Sequence, residues 1–245
     1  MKIIGIIPAR YKSTRFPGKP LANICGKPMI QWVYEKTCKS KLIDMVYVAT
    51  DDKRIFDTVK IFGGQPLMTA DTHSCGTERI AECVDILSLA KDDVILNIQG
   101  DEPLISEEAI GDLVNIFEDK TVFMGTLKKE IEEKQELDNP NVVKVVTDIN
   151  NDALYFSRYC IPYNRDNAEV KYYKHIGVYG YKVDFLKKYV QMEKGLLEKA
   201  ESLEQLRVLE RGYKIRVAET KYQTIGVDTE EQLKMVERIM LEGRK

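Results

Sequence analysis

Histidine is scarce, the cysteines form no pattern, and neither sign of charge prevails. Only His73 and His175 occur in 245 residues, which excludes histidine-rich metal chemistry. The five cysteines (Cys25, Cys38, Cys75, Cys83, Cys160) are scattered, odd in number and contain no C-x-x-C pair. That argues against a disulfide framework and a zinc site, and fits a reducing cytosol. No apolar run approaches the ~20 residues of a membrane helix. The Ile-rich opening stops at Pro8 and Arg10, too soon for a signal-peptide core. Lys and Arg number 37 against 39 Asp and Glu, so broad binding to nucleic acid or a membrane surface gains no support. Hydrophobic residues at 44% and charged residues at 31% exclude a disordered chain and a coiled coil.

What remains is a globular chain whose elements alternate. Lys2–Pro8 reads as a buried strand, Met29–Cys38 as a helix opened by Pro28, and Met45–Thr50 as a strand. Asp52 can cap a helix through Ile61, which ends at Gly63 and Gly64. Thr77–Ala90 has helical spacing, Val94–Gln99 is a further buried strand, and Ser106 opens the next helix. This cadence predicts a parallel sheet wrapped by helices, with ligands beyond the carboxyl ends of its strands.

From about Phe123 the pattern shifts to strands over Val142–Thr147, Ala153–Phe156 and Ile176–Tyr181. A helix over Ser202–Arg211 and a short strand over Lys214–Val217 follow. The closing helix starts after Thr229, with Gln232 at the capping-box position, and runs to Leu241. The expectation is one α/β domain: residues 1–122 an α/β part, 123–225 a β-rich part, and 226–245 the closing helix.

The loop after the first strand, Pro8 to Pro20, gathers Arg10, Lys12, Arg15 and Lys19 beside Ser13 and Thr14. Backbone amides, hydroxyls and cations in such a loop suit a triphosphate, although a solvated basic loop has the same composition. It is not a Walker A motif: Ser13 replaces the first glycine and Pro20 the Ser/Thr. Asp101, in Gln99-Gly100-Asp101-Glu102-Pro103, ends a central strand where a carboxylate can hold Mg²⁺ against phosphate or simply build a turn. Asp228 offers a second carboxylate or a helix cap. Ser74, Gly76 and Thr77 read as helix-cap residues, with base recognition left open. On a strand, His175, Gly177 and Tyr179 face one way, leaving room for a ligand or a packed aromatic face. Glu201, Glu204, Gln205 and Val208 form a polar stripe if 202–211 is one helix.

Together these residues resemble the 3-deoxy-manno-octulosonate cytidylyltransferases, the CMP-Kdo synthetases. The matching blocks are PARYKSTRFPGKPL (8–21), GKPMI (26–30), VATDD (48–52), SCGTERI (74–80), NIQGDEPLI (97–105), ALYFSR (153–158), HIGVYGY (175–181), SLEQLRVLERG (202–212) and GVDTEEQL (226–233). The resemblance implies a Rossmann-like nucleotidyltransferase fold with a mostly parallel sheet and a smaller β-rich part for dimerisation and sugar binding. It implies a cytoplasmic homodimeric enzyme that converts CTP and Kdo to CMP-Kdo and pyrophosphate with Mg²⁺. The product would feed lipopolysaccharide or capsule, with no nucleic acid or membrane partner.

Carried over residue by residue, Arg10, Ser13, Arg15, Lys19, Ser74, Gly76 and Gln99 match the CTP site. Asp101 and Asp228 match the metal carboxylates, and Lys19 and Arg15 would stabilise phosphate oxygens. Arg158, His175, Tyr179, Glu204 and Gln205 match the sugar-acid pocket, with Gln99 between the substrates. Two stretches depart from the family pattern, Gly195–Glu201 and Asn164–Asn167. They leave open the 8-amino analogue of Kdo as acceptor, with Glu198 or Glu201 pairing its amine or standing as exposed helix-start residues. A non-catalytic nucleotide-sugar-binding regulator would be expected to lose Lys19 or a metal carboxylate, and all three are present. A sugar-1-phosphate enzyme would not be expected to carry the set from Arg158 to Gln205.

Overall fold

A computed structural model describes residues 1–12, 16–222 and 225–242. Its first half alternates as the sequence predicts: β1 (Ile3–Ala9), a small hairpin of β2 (Asn23–Ile24) and β3 (Lys27–Pro28), α1 (Met29–Lys39), β4 (Met45–Thr50), α2 (Lys53–Ile61), β5 (Pro66–Met68), α3 (Gly76–Ile86), β6 (Val94–Asn97) and α4 (Glu107–Asn115). The second half adds β7 (Met124–Glu130), α5 (Lys134–Leu137), β8 (Lys144–Thr147), β9 (Ala153–Ser157), β10 (Tyr173–Lys182), α6 (Val183–Val190), α7 (Leu196–Glu201), α8 (Leu206–Glu210), β11 (Arg216–Glu219) and α9 (Glu230–Glu242).

The main sheet runs β11-β7-β10-β6-β1-β4-β5. β1 pairs in parallel with β4 and β6, and β4 with β5; β10 alone runs against its neighbours β6 and β7. A strand covered on both faces must be apolar throughout, which is what Ile-rich β1 provides. Ile3 and Ile7 pack with α1, α2 and α4 through Val33, Val59 and Leu113, while Ile4 and Ile6 join Val84 of α3 and Leu186 of α6 on the other face. The result is a three-layer α/β/α sandwich. β7, β10 and β11 extend this same sheet, and the β8–β9 hairpin branches off β10, so the β-rich part shares the central sheet.

Local chemistry sets most boundaries. The Asp52 side chain accepts from the Arg54 amide and that of Ser106 from the Ala109 amide, capping α2 and α4. α3 stops at Ile86, short of the expected Ala90, with Ser88 in a left-handed conformation at φ 51°. The helix expected over 202–211 shrinks to α8, because Ser202 at φ 52° follows the end of α7 and α8 begins only at Leu206. Two elements carry little sequence signal. β7 buries Lys128, whose ammonium donates to Thr147 Oγ1 at 2.7 Å, so its pattern is not apolar. α6 follows β10 without an intervening turn residue.

β10 crosses the sheet centre so closely over α4's end that a Cβ on Gly180 would run into the Phe117 ring. Gly180→Ala is therefore expected to cost about 2 kcal/mol through overpacking. Thermal unfolding should register it as a Tm loss of roughly 4–8 °C for a chain of this size.

Candidate active site

The carboxyl ends of β1 and β6 meet at a cleft of about 260 Å³, lined among others by Arg10, Lys12, Lys19, Gly76, Gln99 and Asp101. Gly100 permits the meeting, since a Cβ there would lie 2.8 Å from the Pro8 carbonyl oxygen. The amide of Gly18 donates to Tyr11 O at 2.9 Å, closing the base of the basic loop. Ser13 and Arg15, on that loop, lie outside the described residues.

Lys19 opens a short 3-10 turn and points its ammonium between two carboxylates. Its Nζ lies 2.6 Å from Asp101 Oδ2 and 2.9 Å from Asp228 Oδ1. Burial works against the Lys19 charge, but Asp101 and then Asp228 outweigh it and hold its pKa above the ordinary value. The Val227 amide donates to Asp101 O at 2.9 Å, fastening the two acidic loops together. Asp228 is not the cap of α9. That role falls to Thr229, whose Oγ1 accepts from the Gln232 amide, while Gln232 Oε1 accepts from the amides of Asp228 and Thr229. The capping box thus leaves the Asp228 carboxylate to meet Lys19.

Arg10 lines the cleft, yet its guanidinium is committed to protein: Nη2 donates to His73 O at 2.6 Å and Nη1 to Ser74 O at 3.1 Å. It therefore holds the 73–76 loop against the end of β1. Ser74 donates its amide and hydroxyl to Glu78, which fixes the same loop from the α3 side.

Gln99 joins this cleft to a second pocket, donating from Nε2 to Gly177 O at 3.1 Å. A Cβ on Gly177 would meet nothing within 4 Å, so open space lies over that position of β10. The His175 ring keeps partial solvent contact but sits against Phe156 at 5.0 Å and Tyr179 at 5.3 Å, centroid to centroid. Burial among these rings pulls its pKa down to about 3, so it stays neutral. Burial, and secondarily Glu204, pushes the Tyr179 phenol well up. Glu204 accepts from Thr77 Oγ1 at 3.0 Å, tying the pocket to the start of α3 beside Gly76. Gln205 is 4% exposed, and its Nε2 has no hydrogen-bond partner among the described residues.

A cytidylyltransferase family model matches residues 4–215. The chain belongs to that family. It is 55% identical to a 3-deoxy-manno-octulosonate cytidylyltransferase from Fusobacterium nucleatum, over 96% of each chain. It is 48% identical to an 8-amino-3,8-dideoxy-manno-octulosonate cytidylyltransferase from Shewanella pealeana, over 97% of this chain and 98% of that one. A solved CMP:2-keto-3-deoxy-manno-octonic acid synthetase complexed with CTP superposes with a TM-score of 0.94 at 42% identity, covering 99% of this chain and all of that one.

In this cytidylyltransferase the residues around α7 are arranged otherwise than their sequence spacing predicts. Arg158 spends its guanidinium on Glu201 O, Pro140 O and Ser202 O, buttressing the α7 end. The polar stripe of 201, 204, 205 and 208 does not exist as one helix face, because Ser202 breaks it; Glu204 lies in the connection and Gln205 is buried. Glu198 is no exposed helix-start residue: at 5% exposure it pairs both oxygens with Arg207 at 2.6 Å. Glu201 is taken by Ser157 Oγ and the Arg158 amide. Sequence reasoning missed Thr77 as the Glu204 partner and Arg207 as the Glu198 partner. Nothing in the spacing pairs residues across a break like the one at Ser202.

Because His175 is neutral when folded and protonates near its ordinary value when unfolded, acid favours unfolding. Its stabilising contribution is complete above about pH 6.5 and is lost as pH falls from there toward 3. Thermal melts at pH 7.5 and 5.0 should show the wild type losing more Tm on acidification than His175→Gln, which cannot charge. Equal losses would mean His175 titrates as though exposed.

Proposed function

We propose that this cytidylyltransferase transfers CMP from CTP to the anomeric hydroxyl of Kdo, releasing pyrophosphate in an Mg²⁺-dependent reaction. The observation that carries this reading is the ammonium of Lys19 bracketed by Asp101 and Asp228 in a cleft that Gln99 links to Gly177 of β10. Two carboxylates close enough to share one ammonium are close enough to share one metal ion. Oxygen donors of this kind suit Mg²⁺. Among the described residues no group of three or more His, Cys, Asp or Glu side chains forms a metal cluster, so substrate and water oxygens would complete the set. The ion, when bound, would supply charge stabilisation at phosphate oxygens and at the acceptor hydroxyl.

The chain's own residues then have separable tasks. Lys19, with Arg15 assigned beside it, stabilises charge developing on the α-phosphate as pyrophosphate departs. Arg10 and Glu78 hold the 73–76 loop against which the base would sit. Gln99 stands between the substrates, and His175, Tyr179, Glu204 and Gln205 orient the sugar acid. Direct in-line transfer needs no enzyme nucleophile, since positioning and electrostatics carry most phosphoryl-transfer catalysis. In keeping with this, burial and Glu204 push the Cys75 thiol up to about 11, leaving it protonated. The same reading places a homodimer in the cytoplasm, feeding lipopolysaccharide or capsule synthesis.

The 8-amino sugar is favoured by one observation, the Shewanella relative. Against it, Glu198 and Glu201, the carboxylates that the sequence offered to an amine, are both committed within the protein. Pyrophosphate release with CTP and Mg²⁺, offering Kdo and its 8-amino analogue in parallel, decides between them; the expected result is a higher kcat/KM for Kdo. Asp101→Ala and Asp228→Ala should abolish turnover while retaining a cooperative melt. Near-normal kinetics in either would remove the metal assignment. Lys19→Ala should lose at least about 100-fold in kcat/KM, the scale of losing one preorganised donor, whereas a loss below tenfold would mark a solvated loop charge.

A further inference from the structure

Asn97 closes β6 within the apolar run Val94, Ile95, Leu96, Ile98, where a carboxamide has no packing reason to be. It stands directly opposite Tyr179 across the antiparallel β6–β10 pair and beside Ile6 of β1. Paired residues on adjacent strands share a face, so its side chain lies on the sheet side that carries Tyr179. At 4% exposure, its Oδ1 accepts no hydrogen bond. A buried amide oxygen in that state destabilises the fold unless something else satisfies it.

A second unpaired group lies on the same side of the sheet. Gln205 Nε2 is a buried donor without an acceptor, next to Leu206, which packs in the core cluster shared with Tyr181. On β10, two residues from Tyr179, the position of Gly177 opens onto free space. An unpaired acceptor and an unpaired donor buried on one side of the sheet match a polyhydroxylated ligand, because each hydroxyl donates and accepts at once. Charge recognition does not explain Asn97, since a carboxamide carries none.

We propose that Asn97 is a specificity-determining residue of the acceptor site, its Oδ1 accepting a hydrogen bond from a hydroxyl of the bound sugar acid. This rests on the sugar-acid reading of the pocket. A site built around a buried acceptor rejects ligands that lack the matching hydroxyl, because the acceptor is then left unpaired.

The test compares wild type with Asn97→Leu, of similar volume, and Asn97→Ser, which guards against a folding failure in the first. Kinetics are measured with CTP, Mg²⁺, Kdo and a panel of singly deoxygenated Kdo analogues. Asn97→Leu should melt at or above the wild-type Tm while the KM for Kdo rises at least about tenfold, with the KM for CTP within about twofold. One deoxy analogue should be penalised about tenfold or more in the wild type and hardly at all in the variant, a readout that a purely structural role would not move. An unchanged KM for Kdo in folded Asn97→Leu or Asn97→Ser, beside an active wild type, would overturn the Asn97 assignment alone. A wild type inactive toward Kdo and its amino analogue would instead overturn the sugar-acid reading and this inference with it.

Discussion

One ammonium group organises the active end of this molecule. Lys19 lies between Asp101 and Asp228, which come from the basic loop, the end of β6 and the entry to α9. Two carboxylates held so near each other would repel without a cation between them, and Lys19 is the only cation within ion-pair distance of Asp101 among the described residues. The backbone makes the approach possible, through Gly100 against the Pro8 carbonyl and through the Val227 to Asp101 hydrogen bond. The Thr229–Gln232 capping box has a share as well, for it satisfies the start of α9 without using the Asp228 carboxylate. A solvated surface pair would contribute little, but Lys19 is half-buried and bound at both sides, so the arrangement is ordered before substrate arrives.

The two halves of the cleft work by different physics. On the Lys19 side, charges face one another and the carboxylates remain partly exposed. On the other side, His175, Tyr179 and Tyr181 are kept neutral by burial, and the stack continues through Tyr189 to Phe185. Those rings offer hydrogen bonds and shape but no charge of their own, while Glu204 adds a carboxylate beside Tyr179. Gln99 is the joint: two residues past the end of β6 at Asn97, it reaches Gly177 O while lining the charged cleft.

The α7–α8 corner is held together by its own buried side chains. Glu198 and Arg207 form a buried bidentate pair across the break at Ser202, and Glu201 binds the end of β9. A broken buried pair costs far more than an intact one contributes, so these groups are tied to holding the corner. Glu204 and Gln205 are presented to the pocket by that corner, with Tyr189 Oη donating to Glu204 O at 2.9 Å.

Much of the scaffold was legible in the chain because local rules wrote it. Continuous apolar runs marked β1, β4 and β6. Asp52 and Ser106 marked helix starts, and Thr229 with Gln232 marked α9. β7 was hidden by a buried lysine that finds its partner only across the sheet, and α6 by the absence of a turn after β10. Among site residues, Lys19, Asp101 and Gln99 could be placed in loops after strands by topology alone, and the structure puts them on one cleft with Gly76. What only tertiary structure decided were pairings over long separations: Arg10 to the carbonyls of His73 and Ser74, Arg158 to the α7 end, Glu198 to Arg207, and the unpaired amides of Asn97 and Gln205. Capping and periodicity act within a few residues, so sequence determines them directly. Ion pairing and desolvation depend on distances that exist only after the sheet has brought remote loops together.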